Sequence, residues 1–344
     1  MAILNNKTLL IGDLHFKDSL SYSEYIENGR KEEEQEILDF IVEQAKTCDK
    51  VVFLGDIFNA KNNSSSVVKK AVKFIESFTG KQIYILSGNH DKMGDGRTAI
   101  DFLSEVKNAN WHIIVNEVLQ IKDYTFCPFF NNAQLEAEDN KDAVKKIMKK
   151  LEPNKVLFVH HSISGSSLPS GISVNNLPEA VLPKKELEKK FDLIFGGHIH
   201  KPQQDGKVTV TGSVFNQETG EKEKFIYRLD DKMKVEKVAL PGRGIYKLED
   251  PTDEDLKAIP KNSIVKTILT EKLSSIKIGE LKKKLDNFDA SVLLEQIPHK
   301  RKKIHLEDGK SMLEMSVQEL LGLYAKEKKV NLIKLLKGFE LIKL

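Results

Sequence analysis

Residues 51–56 read VVFLGD, four apolar residues ended by a glycine and a carboxylate. Such a run is typical of a strand buried on both faces, because a half-exposed strand would alternate apolar and polar residues. Four other short apolar runs have the same form, at residues 9–11, 83–86, 156–159 and 193–195. Together the five runs predict the inner strands of a layered α/β domain.

The segments between these runs predict the covering helices and the form of the sheets. Apolar residues recur at helical spacing in residues 31–47, 66–79 and 98–106, which predicts three helices. Residues 111–130 and 208–238 have hairpin-like patterns. We therefore expect a mixed sheet or two packed sheets rather than a purely parallel one.

The chain changes character near residues 241–253, where proline, glycine and charged residues replace the apolar runs. Beyond this boundary the pattern predicts a small α+β unit, with a strand at 264–269, a helix at 278–288 and a strand at 291–297. Ser316 to Glu319 matches a capping box, and two amphipathic helices are predicted from there to the C-terminal end.

Composition fits a globular protein without identifying a partner. Of the 344 residues, 40% are apolar and 31% are charged, and the formal net charge is only +3. Cys48 and Cys127 have no metal-ligand spacing, which favours a reducing compartment. No stretch is apolar and long enough to predict a membrane span or a signal sequence, so we expect a cytoplasmic protein with no membrane partner.

Polar, metal-binding residue types follow the apolar runs. Six of the nine histidines lie in four short motifs, and a fifth motif carries a carboxylate alone. In layered α/β folds ligands gather beyond the carboxyl ends of the strands, so these side chains are expected to meet. The candidates are Asp13, His15, Asp56, Asn89, one of the pair His160 and His161, His198 and His200.

Seven candidate ligands are too many for one tetrahedral ion. A bridging Asp56 would give two four-ligand sites, and two ions about 3.5–4 Å apart can clamp a phosphate and hold a bridging hydroxide. Nitrogen and oxygen ligands without thiolates suit manganese, iron or zinc better than calcium.

These motifs resemble the signature of the calcineurin-like metallophosphoesterases, in that family's order across residues 9–200. The elements that match are Asp13-x-His15, Gly55-Asp56, Gly88-Asn89-His90-Asp91, His160 and Gly197-His198-x-His200. The resemblance implies an α/β fold, a four-layer α/β/β/α sandwich, with a small α+β capping domain and C-terminal helices.

The resemblance also implies a role for each matching residue. One ion would be held by Asp13, His15, Asp56 and His200, and the other by Asp56, Asn89, His160 and His198. His90 would contact the phosphate and protonate the leaving oxygen, and Asp91 would orient His90 or nearby ligands. His161 is the alternative ligand to His160, which we prefer because it immediately follows the strand.

Three further features resemble the SbcD-type DNA repair nucleases, relatives of the meiotic-recombination-eleven nuclease, in their compact form. They are the run at 197–203, the Gly-Ser turn at 212–213 followed by 225–229, and the unit at 255–306. The implied domains are a nuclease domain at 1–245, a DNA-capping domain at 255–306 and a helix pair at 312–344. That pair resembles the segment that docks onto an SbcC-type coiled-coil ATPase.

This branch implies a homodimeric, two-metal DNA nuclease that uses manganese, with magnesium as the other candidate ion. Its activities would be a 3′-to-5′ exonuclease on duplex DNA and a single-strand endonuclease, in which a bridging hydroxide attacks the phosphodiester. Two positions depart from the pattern of this branch: Asn59 stands where many bacterial members carry an acidic residue, and the run His160-His161-Ser162 lacks the Gln-Gly pair that is common after this histidine in archaeal relatives. The alternative is a metallophosphatase or small-molecule phosphodiesterase with the same site.

Overall fold

We describe the fold from a computed structural model of the chain. It describes residues 7–26, 29–93, 97–106, 108–270, 274–288 and 290–295, together with Leu321. The chain divides into two compact units, Met1–Gln296 and Ile297–Leu344, and nearly all described residues belong to the first. The helix pair predicted at 312–344 lies outside the described residues, apart from Leu321, which is helical.

The described residues of the first unit form fifteen strands and six α-helices. The strands are β1 (Thr8–Ile11), β2 (Lys50–Phe53), β3 (Gln82–Leu86), β4 (Trp111–Ile114), β5 (Leu119–Ile121), β6 (Tyr124–Cys127), β7 (Asn154–Val159), β8 (Phe191–Gly196), β9 (Gln203–Asp205), β10 (Val208–Val210), β11 (Phe225–Leu229), β12 (Val235–Ala239), β13 (Ile245–Glu249), β14 (Ile264–Leu269) and β15 (Ala290–Glu295). The helices are α1 (Lys31–Ala45), α2 (Ser65–Glu76), α3 (Asn140–Lys150), α4 (Lys184–Lys190), α5 (Asp253–Lys257) and α6 (Ser275–Leu285).

Two six-stranded mixed sheets form the core of the first unit. The first has the order β12-β11-β1-β2-β3-β4, in which β1 to β4 are parallel and the β11–β12 hairpin is antiparallel to them. The second has the order β5-β6-β7-β8-β10-β9, parallel from β6 to β10 and antiparallel at both edges. The sequence predicted a mixed sheet or two packed sheets, and the structure has two packed sheets that are both mixed.

Alternate side chains of the inner strands enter two different cores, which explains why these strands are apolar throughout. In β1, Leu9 and Ile11 pack with residues of α1 and α2, whereas Leu10 packs in the layer between the two sheets. In β7, Leu157 likewise packs with residues of α3 and α4, and Phe158 packs between the sheets. The result is the expected α/β/β/α sandwich.

Within the same first unit, the chain beyond β12 forms a third, smaller sheet of three parallel strands in the order β13-β14-β15. Helix α6 begins at the N-cap Ser274, whose hydroxyl accepts from the amide of Lys277, and it connects β14 to β15. Leu281 and Leu285 of α6 pack on Val265 of β14. The predicted strand–helix–strand order is therefore present, and the predicted boundary at residue 245 falls on the first residue of β13.

Two local predictions differ from the structure. Residues 98–106 were expected to be helical, but they contain a 3₁₀ turn at Asp101–Glu105. Ile100 and Leu103, three residues apart, are buried, and that spacing fits a 3₁₀ repeat. The segment 111–130 contains one hairpin, β5–β6, because β4 joins the other sheet. Among the described residues, no helix is long and apolar enough to cross a membrane.

Candidate metal centre

The predicted ligands lie at the carboxyl ends of strands from both sheets. Asp13 follows β1, Asp56 follows β2 and Asn89 follows β3 of the first sheet. His160 follows β7 directly, and His198 follows β8 by two residues, in the second sheet. Because these parallel strands end at one edge of the sandwich, residues distant in sequence converge there.

The loops that carry the ligands make unusually close turns. His15, Asp56 and His198 have positive φ values of 48°, 48° and 78°, a region that side-chain-bearing residues seldom occupy. Gly55 has φ 110°, and a Cβ atom on it would lie 2.2 Å from Nδ1 of His160. A Cβ on Gly88 would lie 2.0 Å from Oδ1 of Asp56. Both glycines are therefore needed for the loops to approach one another.

Asp13, His15 and His200 form one cluster of possible ligands. Nε2 of His15 lies 2.9 Å from Nε2 of His200 and 4.0 Å from Oδ2 of Asp13. Both carboxylate oxygens of Asp13 also accept from the backbone amide of His198, at 3.2 and 3.0 Å. Asp13 and His15 are buried, so this cluster is the floor of the site.

Asp56, His160 and His198 form a second cluster. Nε2 of His160 lies 3.3 Å from Oδ2 of Asp56 and 3.1 Å from Oδ1 of Asn89. The same amide oxygen lies 2.8 Å from Nδ1 of His198. Nδ1 of His160 donates to the carbonyl of Leu54 at 2.6 Å, which leaves Nε2 free to bind an ion.

Asp56 and His15 connect the clusters. A third group of possible ligands consists of His15, Asp56 and His90, and Oδ2 of Asp56 lies 3.6 Å from Nε2 of His15. Asp56 therefore contacts histidines of both halves of the site. This is the position that a bridging carboxylate requires.

His90 is exposed and stands at the mouth of the site. Its backbone amide donates to Oδ1 of Asp56 at 2.8 Å, and its ring lies edge-on to His15 with centroids 4.7 Å apart. Nδ1 of His90 donates to the carbonyl of Asn59 at 2.8 Å. The ring is thus oriented by the backbone of Asn59, and Nε2 is the nitrogen left to face a substrate.

Asp91 contacts the ligand-bearing loops rather than the ring of His90. Its buried carboxylate accepts from the amides of Gly88 at 2.9 Å, Phe58 at 3.1 Å and Ile57 at 3.4 Å. Burial and the neighbouring charge of Asp56 raise the pKa of Asp91. The residue holds the loops after β2 and β3 together, and its role in orienting ligands stays a prediction.

His160 and His161 have different surroundings. His160 belongs to the second cluster, whereas Nε2 of His161 accepts from the amide of Phe130 at 3.1 Å. The ring of His161 stacks on Phe129, with centroids 4.9 Å apart. Burial lowers the pKa of His161 well below its usual value, as expected for a neutral core histidine. The structure therefore places His160, not His161, among the candidate ligands.

The pKa values of several acids and bases in the site are shifted, in opposite directions. Burial raises the pKa of Asp13 and lowers the pKa of His15 to about 3. Burial opposes a charge on His160 as well, but Asp56 and Asp13 raise the pKa of its ring to about 9. Such shifts are common where side chains are arranged for chemistry.

The residues fit a pair of divalent ions. Nε2 of His15 and Nε2 of His200 face each other at 2.9 Å in the buried site, and Nδ1 of His15 has no hydrogen-bond partner among the described residues. Cations between the clusters would bind the inward-facing nitrogens and offset the buried carboxylates. The donors are imidazole nitrogens and carboxylate or amide oxygens, which suits manganese, iron or zinc.

Sequence reasoning missed the groups that surround these ligands. Glu179 contacts His198, Glu221 and Lys224 contact His200, and Phe129 packs on His161 and against the rings of His160 and His198. The two glutamates lie in irregular loops and in no motif. The only sequence signal for these glutamates is that each is a charged residue in a loop. Because many loops contain such a residue, this signal does not predict a contact with a ligand.

Comparison with known families agrees with the fold and the site. Residues 7–202, more than half of the chain, match the model of the calcineurin-like phosphoesterases. The chain belongs to this family, and it is therefore a phosphoester hydrolase of a class that uses divalent metal ions. The predicted sandwich fold and the resemblance to this family are confirmed.

Other comparisons add little. Among curated proteins, none is similar enough to count as a match. One solved crystal structure is 14% identical over 69% of this chain and 99% of that chain, with a TM-score of 0.42. A similarity this loose carries no argument about function.

Proposed function

We propose that this phosphoester hydrolase is a DNA nuclease of the SbcD type, which hydrolyses phosphodiester bonds with two bound divalent ions. Manganese is the proposed ion, and magnesium is the other candidate. The observation that carries the proposal is the exposure of His90 above buried candidate ligands. A phosphate that belongs to a long polymer can reach an acid at the surface, whereas a closed pocket would admit only a small molecule. The predicted activities are 3′-to-5′ exonuclease on duplex DNA and single-strand endonuclease.

The second support is the part of the chain beyond the matched residues. After residue 202 the chain continues through the β11–β12 hairpin into the separate sheet β13-β14-β15 with helix α6. A phosphatase needs no such unit, whereas a nuclease can use it to cover DNA. The exposed face of helix α6 carries Lys282 and Lys283, cations of the kind that contact a phosphate backbone.

The side chains suggest how the reaction proceeds. Bound divalent ions would polarise the phosphate and activate water in this site. His90 would carry a proton on Nε2 while Nδ1 remains bonded to the carbonyl of Asn59. As the phosphorus–oxygen bond breaks, Nε2 donates this proton to the leaving 3′ oxygen. Asp91 keeps the loops of Asp56 and His90 in register throughout.

Cleavage of end-labelled duplex DNA with Mn²⁺ tests the proposal. The wild-type chain should degrade the duplex, and His90→Ala should slow cleavage by about 10²–10⁴-fold, the range for loss of a general acid. His112→Ala is the matched control, because His112 is a half-buried histidine of β4 whose Nε2 contacts Gln82 and no candidate ligand.

The same assay separates the alternative function. If DNA remains intact while p-nitrophenyl phosphate is hydrolysed, the chain is a phosphatase. If only a small phosphodiester, bis-p-nitrophenyl phosphate, is cleaved, it is a small-molecule phosphodiesterase. Either outcome removes the nuclease assignment and leaves the metal site in place.

We further propose that the chain acts in the cytoplasm as a homodimer and as the nuclease subunit of a complex with an SbcC-type coiled-coil ATPase. This proposal rests on the sequence resemblance of residues 197–229 and of the predicted helices at 312–344. Light scattering should give twice the mass of 39.0 kDa. Truncation after Ile304 should abolish binding to the ATPase subunit, and retained binding would remove the docking role of the helices.

A further inference from the structure

His198 and His200 face the site through different ring nitrogens. His198 presents Nδ1, which lies 2.8 Å from Oδ1 of Asn89. His200 presents Nε2, which lies 2.9 Å from Nε2 of His15. A neutral imidazole carries a lone pair on one nitrogen only, so the two residues need opposite tautomers to bind ions. Something on the far side of each ring must select the tautomer.

Glu179 lies on the far side of His198. Its Oε2 lies 3.1 Å from Nε2 of His198, and its Oε1 accepts a short hydrogen bond from the hydroxyl of Ser162. The loop that carries Glu179 is fixed at its end, because the amide of Leu182 donates to the carbonyl of Ser162 at 2.8 Å. The carboxylate is therefore held in place by the residue that follows His160 and His161.

Glu221 lies on the far side of His200. Its Oε1 lies 3.5 Å from Nδ1 of His200, and its Oε2 accepts from the amides of Gln217 at 2.6 Å and Glu218 at 3.2 Å. The side chain is fully buried. The turn at 217–221 thus fixes one oxygen and aims the other at the histidine.

Lys224 completes this second arrangement. Its ammonium lies 3.2 Å from Oε1 of Glu221 and donates to the carbonyl of His200 at 2.8 Å and to the hydroxyl of Ser213 at 2.6 Å. It therefore balances the buried charge of Glu221 and also holds the backbone of His200. Oε1 of Glu221 therefore faces both Lys224 and the ring of His200, so the carboxylate does more than pair with the lysine.

We infer that Glu179 and Glu221 are positioning residues that set opposite tautomers of His198 and His200, so that each ring presents its lone pair to one of two metal ions. A proton on the outer nitrogen of each histidine is held by the glutamate. The ring is then oriented, and its inner nitrogen becomes a stronger ligand. The inference rests on the two-metal site of the proposed function and not on DNA as the substrate.

Calorimetric titration of the metal-free full chain with Mn²⁺ tests the inference without any substrate. Glu179→Ala should weaken binding at one of the two sites by about 10–100-fold, and Glu179→Gln, which keeps an acceptor oxygen, should recover part of the loss. Glu188→Ala is the matched control: Glu188 has a side-chain exposure of 25%, against 28% for Glu179, and it contacts Lys184 and Lys207. It should bind Mn²⁺ as the wild type does.

Glu221 needs a different variant, because its loss alone would leave Lys224 buried without its partner. The double variant Glu221→Ala with Lys224→Met removes both charges and the acceptor oxygens together, and Lys224→Met alone, which loses the same bond to the carbonyl of His200, is compared with it. The double variant should weaken the site of His200 by about 10–100-fold while the site of His198 stays unchanged. Glu34→Gln is the control, a buried carboxylate that pairs with Lys70 and contacts no histidine.

Nitrogen-15 NMR of labelled histidines in the protein loaded with diamagnetic Zn²⁺ reads the tautomers directly. The wild type should show His198 protonated on Nε2 and His200 protonated on Nδ1, and each variant should lose the preference of its own histidine alone. Wild-type Mn²⁺ affinity together with unchanged tautomers in the Glu179 and Glu221 variants would overturn the inference. If the variants lose metal affinity as expected but the wild-type chain does not cleave DNA, the nuclease proposal is wrong and the inference about the two glutamates stands.

Discussion

Replacement of Asp56 by asparagine should abolish metal binding at both sites while leaving the metal-free protein folded. Oδ2 of Asp56 lies 3.6 Å from His15 and 3.3 Å from His160, which belong to different clusters. Oδ1 accepts from the amide of His90, and an asparagine oxygen can still accept that hydrogen bond. The substitution therefore removes the shared negative charge and retains the loop contact.

The expected magnitude follows from binding linkage. An ion present at 100 times its dissociation constant stabilises a protein by about 2.7 kcal/mol per site, so two sites contribute about 5 kcal/mol. At about 2 °C per kcal/mol for a chain of this size, Mn²⁺ should raise the wild-type Tm by about 10 °C. Asp56→Asn should show almost none of this rise. Asn89→Ala, which removes a contact with His160 and His198 only, should keep about half of it.

Thermal unfolding with and without Mn²⁺, together with calorimetric titration of the metal, provides the assay. Without metal, the Tm of Asp56→Asn should fall below that of the wild type, because the substitution removes the carboxylate that pairs with the buried His160 ring. Two ions still bound by Asp56→Asn with wild-type affinity would refute the bridging assignment. Loss of only one ion would show that Asp56 serves a single site.

Three further predictions concern the rest of the molecule. Glu33→Ala should cost about 3–5 kcal/mol, because it leaves the buried Arg30 guanidinium unpaired, and a lower Tm measures it. Burial opposes ionisation of Glu33, but its bonds to Arg30 lower its pKa below the usual 4.5, so this stability is present above that pH and is lost as the pH falls further. Phe158→Ala should lower the unfolding free energy by about 3–5 kcal/mol in denaturant titration, because this fully buried ring stacks on Phe126 and Phe195. Burial raises the pKa of Cys127 to about 12, so a thiol reagent at pH 8 should label it only after unfolding.

The inner strands could be predicted because double burial leaves a direct mark on composition. A run such as residues 51–54 has no polar position, and in the structure its strand is buried on both faces. The pattern could not show that Val51 faces the helices while Val52 faces the other sheet. Membership of a sheet is decided by long-range pairing, and for that reason the segment 111–130 was assigned to hairpins although β4 pairs with β3.

The candidate ligands could be predicted for a related reason. A motif that ends a buried strand has a fixed position in the fold, so the sequence alone predicts Asp13, Asp56 and His160 as ligands. It does not predict Glu179 and Glu221, because each follows irregular loop structure whose path depends on contacts distant in sequence. Neither residue has a spacing that distinguishes it from the other glutamates of the chain.

The strained ligand loops connect the core to the chemistry of the site. Each positive φ at His15, Asp56 and His198 costs about 1–3 kcal/mol, so these conformations persist only where other contacts enforce them. The enforcing contacts are made largely by the ligands themselves: the amide of His15 donates to the carbonyl of Asp56 at 2.9 Å, and the amide of His198 donates to the carboxylate of Asp13. The second of these bonds joins the two sheets. The apolar layer that holds the two sheets together therefore also fixes the distances between ligands carried by different sheets. Packing in the core of the sandwich thus determines the geometry of the metal site.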